Sequence, residues 1–111
     1  MFIIVTKYLI PKGYRGVTVF PFVILAYEKD RQDQSLINHE KIHIRQQLEL
    51  LLLPFFIWYF LEYLIRLLQY GRHATAYRNI SFEREAYNND HNLEYIQNRK
   101  FWNFVNYIKL R

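Results

Sequence analysis

His39 and His43 stand four residues apart, with Glu40 beside the first, in the stretch Asn38-His39-Glu40-Lys41-Ile42-His43. On a helix the two imidazoles share one face, one turn above the other. That spacing can hold a zinc ion, with Glu40 next to the metal as general base for a water. The chain has no cysteine, so thiolate sites are excluded and a metal must use histidine and carboxylate. H-E-x-x-H is short enough to arise by chance, so the rest of the chain must supply the setting and a third ligand.

The element that presents the motif is readable. Asp33 or Ser35 is a good N-cap, and a helix is expected from about Ser35 to Leu53. At roughly 100° per residue, Lys41, Arg45 and Glu49 stack on one face with Asn38 nearby, which predicts the solvated side. Leu36, His39, Glu40, His43, Gln47, Leu50 and Leu51 fall opposite. The polar motif therefore lies on the side expected to be buried. Burying a carboxylate and two imidazoles without partners is costly, and a bound metal resolves that cost. Gln46 and Gln47 are expected to be structural groups or to support the ligands.

Before the helix, Phe2 to Ile10 is β-branched and aromatic and predicts a strand. Pro11-Lys12-Gly13-Tyr14-Arg15-Gly16 is turn chemistry. Val17 to Tyr27 reads as a second strand, at an edge or bent at Pro21, and the two runs are expected to pair as a hairpin. After the helix, Leu50 to Leu61 carries no charge and Pro54 interrupts it, so a second helix is expected from Phe55 to Gln69. Its first reading is a core helix, with Glu62 and Arg66 paired at i, i+4. A helix lying on a membrane through Leu50–Leu68 is the second, since Trp58, Tyr59 and Tyr63 suit an interface. A membrane span is the third. Gly71 and the polar residues after it predict a loop. A helix from Ile80 to Gln97 and a short last helix from Lys100 to Lys109 follow.

A catalytic zinc uses three protein ligands and one open position. His73 and His91 are the other histidines, and Glu49, Glu62, Glu83, Glu85, Asp90 and Glu94 the downstream acids. Glu49 is expected to point outward and Glu62 to pair with Arg66. That leaves the Phe82-to-Asp90 helix, where amphipathicity does not separate Glu83 from Glu85.

H-E-x-x-H followed by a helix carrying E-x-x-A resembles the gluzincin metallopeptidases, and the length is closest to minimal, stand-alone gluzincin scaffolds. The resemblance covers the two motif helices. It implies a zincin-like fold and zinc-dependent peptide hydrolysis. The family ligand is the Glu that opens E-x-x-A, and Glu83-Arg84-Glu85-Ala86-Tyr87 puts Glu83 in that slot. Tyr87 stands where the family often carries an acid that hydrogen-bonds a ligand histidine. Asp90, on the same face as Glu83, is the substitute carboxylate. The Tyr87 phenol is an alternative donor to a developing oxyanion.

At 111 residues the chain predicts a single zincin-like domain, residues 1–111, of α+β class, with an N-terminal β-hairpin on three or four helices. The formal charge is +5, but basic residues are scattered, so no nucleic-acid partner is expected. The N-terminus lacks the basic leader and small-residue cleavage site of a signal peptide, and a cytoplasmic location, with or without membrane association, is expected. The function expected is zinc peptidase action on a peptide or protein substrate. Metal ligands are His39, His43 and Glu83, Glu40 is the general base, and Val17 to Tyr27 is the strand on which substrate pairs. Two alternatives stand beside it. One is a latent or non-catalytic zinc protein, with the aromatic tail from Phe101 to Arg111 over the cleft. The other is a membrane-associated structural protein built on Leu50 to Leu68.

Overall fold

Pro21 lacks the N–H that a strand interior requires, and the chain turns there. In the computed structural model, which describes residues 1–108, the run from Val17 to Tyr27 is two strands and not one. β2 (Gly16–Val19) and β3 (Phe22–Leu25) form an antiparallel hairpin with Thr18 opposite Val23. β1 (Phe2–Val5) joins β3 in parallel, with Phe2 opposite Phe22 and Val5 opposite Leu25. The order β1-β3-β2 makes β2 an edge. An N-terminal hairpin is thus present, but it lies within the second apolar run; the expected pairing of the first run with the second is antiparallel, and the observed one is parallel. β1 stops at Val5, and Tyr8 and Leu9 are exposed beyond it.

α1 (Gln34–Leu50) starts at Asp33, whose carboxylate accepts from the Leu36 N–H at 3.1 Å. That removes one of the orphan donors of the first turn. Arg15 ties the lead-in of β2 to this cap, donating to Asp30 at 2.9 Å and to Asp33 at 2.6 Å. The helix ends at Leu50 because Leu51 takes a left-handed φ of 65°. α2 (Leu52–Tyr70) follows at once, with Pro54 in its first turn, where a missing N–H costs nothing. Gly71, at φ 71°, closes α2 by donating to the Leu67 carbonyl at 2.8 Å.

The stretch after Gly71, expected to be a loop, holds a short helix, α3 (His73–Arg78), folded back on α2. α4 (Ser81–Asn89) is shorter than expected. Its end is set by Asn38, whose amide donates to the carbonyls of Asp90 and Asn92, both at 2.9 Å. Asn38 is therefore buried and not on the solvated face. α5 (Tyr95–Asn98) is a separate short helix at the end of the run expected to be one helix to Gln97, and a 3-10 turn (Asn103–Tyr107) stands in place of the last predicted helix, whose final residue, Lys109, lies outside the described residues.

The class is α+β, with five helices among the described residues and a core where α1, α2, α4 and the C-terminal turn meet. Phe82 is fully buried there, its ring 4.5 Å from that of Phe55 and 4.6 Å from that of Phe104. Burial of a side chain this size stabilises by about 2–3 kcal/mol, and Phe82 precedes Glu83, so the core anchors the site directly. α2 buries Phe55, Glu62 and Arg66 on one face and exposes the other.

Candidate metal centre

His39, Glu40 and His43 form a buried group that can hold a metal ion, with one ligand atom from each within 4.8 Å of the others. A tighter trio involves Glu83. Its Oε1 lies 3.2 Å from Nε2 of His39 and 3.2 Å from Nε2 of His43, and the two Nε2 atoms are 3.2 Å apart. Ligand atoms about 2.0–2.1 Å from a tetrahedral zinc lie roughly 3.3 Å from one another. The triangle has the size of one face of such a site.

The far side of each imidazole settles what its Nε2 can be. Gln46 gives its amide N–H to the Phe82 carbonyl at 3.1 Å and to Glu85 at 2.9 Å. Its oxygen therefore faces His43 and accepts from Nδ1–H at 2.8 Å. Nδ1 of His39 faces the Asp90 carboxylate at 3.2 Å, an acceptor for an Nδ1–H. With Nδ1 carrying the proton in each neutral ring, both Nε2 atoms present lone pairs, and they face a carboxylate oxygen. Three acceptors at this spacing can be satisfied together by a cation. Without a metal a proton serves instead: although burial opposes it, the Glu83 charge raises His43 to about 9. Burial alone would raise Glu83, but the two histidines hold it far below the usual carboxylate range.

Tyr59 donates to the other Glu83 oxygen at 2.7 Å, which turns Oε1 toward the histidines. The backbone of α4 is fixed at its N-terminus by Glu62, which accepts from the Ser81 N–H at 2.6 Å and from its hydroxyl at 2.7 Å. Glu62 also lies 3.8 Å from Arg66, the pairing expected from their spacing. Glu85 points away from the histidines and is fully buried against Arg99, Tyr95 and Gln46. Arg99 also bonds Glu49, so Glu49 is half-hidden in an ion pair and not on the solvated face. His73, far in sequence, is held between the hydroxyls of Tyr14 at 2.6 Å and Tyr63 at 2.8 Å.

Glu40 is buried, and burial pushes its carboxyl pKa up, although the histidines oppose this. β2 passes close above it. A Cβ built on Gly16 would stand 3.1 Å from the Glu40 Oε1, so glycine lets the strand approach. A largely apolar cavity of about 610 Å³ opens on Glu40, His43 and Glu83 and is walled by Phe55, Phe56, Tyr59 and Phe60 of α2. A smaller, more polar pocket of about 250 Å³ opens on His39, Glu40, Tyr87 and Asp90. Tyr14, Gly16, Glu40 and Tyr77 line both, so one cleft runs across the centre.

The structure brings His39, His43, Glu40, Glu83 and Asp90 together. Tyr87 sits in the smaller pocket, its ring edge-on to His39 at 4.5 Å, under the Arg78 guanidinium, and its phenol bonds that of Tyr77. Tyr59 and Tyr77 were not legible as site residues: a tyrosine on an apolar helix face carries no spacing signature that separates it from core. Comparison with known protein families, with characterised proteins and with solved structures finds no match, so the geometry of the site carries the functional argument.

Proposed function

We propose that the chain is a zinc-dependent peptidase of gluzincin type, with zinc on His39, His43 and Glu83. The observation that carries this is the 3.2 Å triangle of two imidazole Nε2 atoms and one carboxylate oxygen, with both Nδ1 atoms engaged elsewhere. The absence of cysteine supports zinc on nitrogen and oxygen ligands. When bound, the ion supplies Lewis-acid polarisation of a carbonyl and makes a water acidic enough to deprotonate near neutral pH.

The side chains do the rest. Glu40, its basicity raised by burial, accepts the proton of the attacking water and passes it to the leaving amine. Tyr87, hydrogen-bonded to Tyr77, is the phenol available to a developing oxyanion, and Tyr77 extends that reach to both halves of the cleft. Substrate pairs with the outer edge of β2. Gln47 already occupies part of that edge, donating to the Thr18 carbonyl at 2.8 Å and accepting from the Phe20 N–H at 2.6 Å. The pairing stretch therefore narrows from Val17–Tyr27 to the backbone around Gly16, ending at the Thr18 N–H, directly above Glu40. A large apolar side chain of the substrate fills the cavity against Phe56 and Phe60.

The test is cleavage of quenched fluorescent peptides with central Phe or Leu by zinc-loaded protein. Glu40→Gln is expected to lower kcat by about 10²–10⁴-fold with zinc retained. Zinc retention with no cleavage of any peptide by the wild type marks a latent metal protein and ends the peptidase reading.

A further inference from the structure

α2 is long and apolar enough to cross a membrane, yet only 17% of its apolar window is buried inside the protein. Leu53, Ile57, Leu61, Ile65 and Leu68 are all exposed, Leu68 at 89%. They recur at three- and four-residue spacing and form one stripe about 22 Å long. No charge interrupts it, because the two ionic residues of the helix, Glu62 and Arg66, are turned inward and buried together. Past the N-terminus of α2, the linking residue Leu51 and Leu48 of α1 are exposed as well. Gln47 accepts from the Phe20 N–H, which ties exposed Phe20 to the C-terminal part of α1. A contiguous exposed apolar stripe of this length marks an interaction surface.

Charge identifies the occupant. The chain is formally +5. Most of its acids are paired: Glu28, Asp30, Asp33, Glu49 and Glu85 are each within ion-pairing distance of an arginine, and Asp90 faces His39. Glu62 and Glu83 are likewise paired, Glu40 is buried, and of the acids only Glu94 is exposed without an ion pair among the described residues. The exposed ionic surface is therefore basic. Two copies bearing this charge repel, whereas an anionic bilayer attracts each one. Lys7 and Lys12 are exposed in the segment between β1 and β2, whose Pro11 lines the same cavity as Phe56 and Phe60 of α2, and Arg72 follows the end of the helix. Cations thus border the apolar stripe.

We propose that the exposed face of α2 is a membrane-docking surface, on which the protein lies in the headgroup–acyl boundary of an anionic bilayer. The helix lies in the membrane plane and does not cross it, since its other face carries Glu62 and Arg66 and is packed against α3 and Phe82. Basic residues supply attraction and the stripe supplies apolar burial. This inference does not depend on the metal, and vesicle binding is read without a peptidase assay.

The experiment is flotation of the full chain with phosphatidylcholine vesicles, with and without phosphatidylglycerol. The expected result is binding to anionic vesicles that weakens on neutral ones and at high salt. The triple variant Ile57→Asp, Leu61→Asp, Leu68→Asp, checked for folding by circular dichroism, is expected to bind roughly tenfold more weakly or less well still. As a readout on the wild type alone, a photoreactive lipid is expected to label peptides from the Leu53–Leu68 stretch. Failure of the wild type to float, equal binding by a folded triple variant, or labelling confined to other segments overturns the proposal. So does a lipid-free dimer in sedimentation that the same substitutions dissociate, since the occupant is then a second copy.

Discussion

One amide decides how the histidine pair can act. Gln46 has a carbonyl and a carboxylate acceptor on its nitrogen side, so its oxygen receives the His43 Nδ1–H, and in the neutral ring His43 Nε2 is left as a lone pair. Replacing Gln46 with Leu removes that orientation while keeping the volume. The expected consequence is a 10–100-fold loss of zinc affinity, read by competition with a chromogenic chelator. An unchanged affinity means that the ring is oriented by something else. Asp33 carries a second prediction at this scale. The Arg15 guanidinium, and then the Leu36 N–H, hold its carboxyl below the usual range. A carboxyl lowered by folding stabilises fully above its unfolded value near pH 4, and the contribution is lost as pH falls through the lower folded value. Asp33→Asn keeps a capping oxygen and loses the charge. The wild type is therefore expected to melt above the variant at pH 7, with the gap closing below about pH 4. A gap that persists in acid assigns the difference to the cap geometry. His39, Glu40 and His43 were legible because one helix holds all three. Glu83 emerged only from motif register, since Glu85 has the same type two residues on. What separates them is Arg99, fourteen residues downstream of Glu85, and no periodicity links the two.

Elements are fixed by a few long-range clamps. Arg99 joins the C-terminal segment to α1 through Glu49 and to α4 through Glu85, and its side chain is buried. Removing one member of a buried ionic group leaves the others uncompensated. Arg99→Met is expected to cost about 3–5 kcal/mol in chemical denaturation. A loss under 1 kcal/mol places Arg99 among ordinary surface ion pairs. Gly16 belongs to this scale because it sets how β2 approaches α1. Gly16→Val puts a branched side chain 3.1 Å or nearer to the Glu40 carboxylate and across the edge where substrate pairs. Cleavage is expected to fall by about tenfold or more with zinc content unchanged, since neither imidazole moves. The two long helices were legible from period and capping, with ends shifted by one to three residues. The strand pairing was not. Pro21 signalled a bend, but nothing local says that the first run meets the far arm of the hairpin in parallel. α3 has six residues of mixed polarity, too few to show a period.

At the scale of the molecule, the cleft at the histidine pair and the exposed stripe share a wall, because Phe56 and Phe60 line the cavity and stand exposed on α2. The core reading of that helix holds for the face with Phe55, Glu62 and Arg66. Hydropathy alone cannot tell which side of an apolar helix finds a partner, because exposure is set by the placement of α3 and α4. The central claim is the ligand set, and two trios share the histidine pair: one with Glu40 and one with Glu83. The direct measurement is zinc per chain in purified protein, by elemental analysis, for the wild type, Glu83→Ala and Glu40→Ala. The account predicts about one zinc in the wild type and in Glu40→Ala, and a loss in Glu83→Ala with the fold intact. Wild-type protein without zinc, or zinc retained in Glu83→Ala and lost in Glu40→Ala, contradicts it.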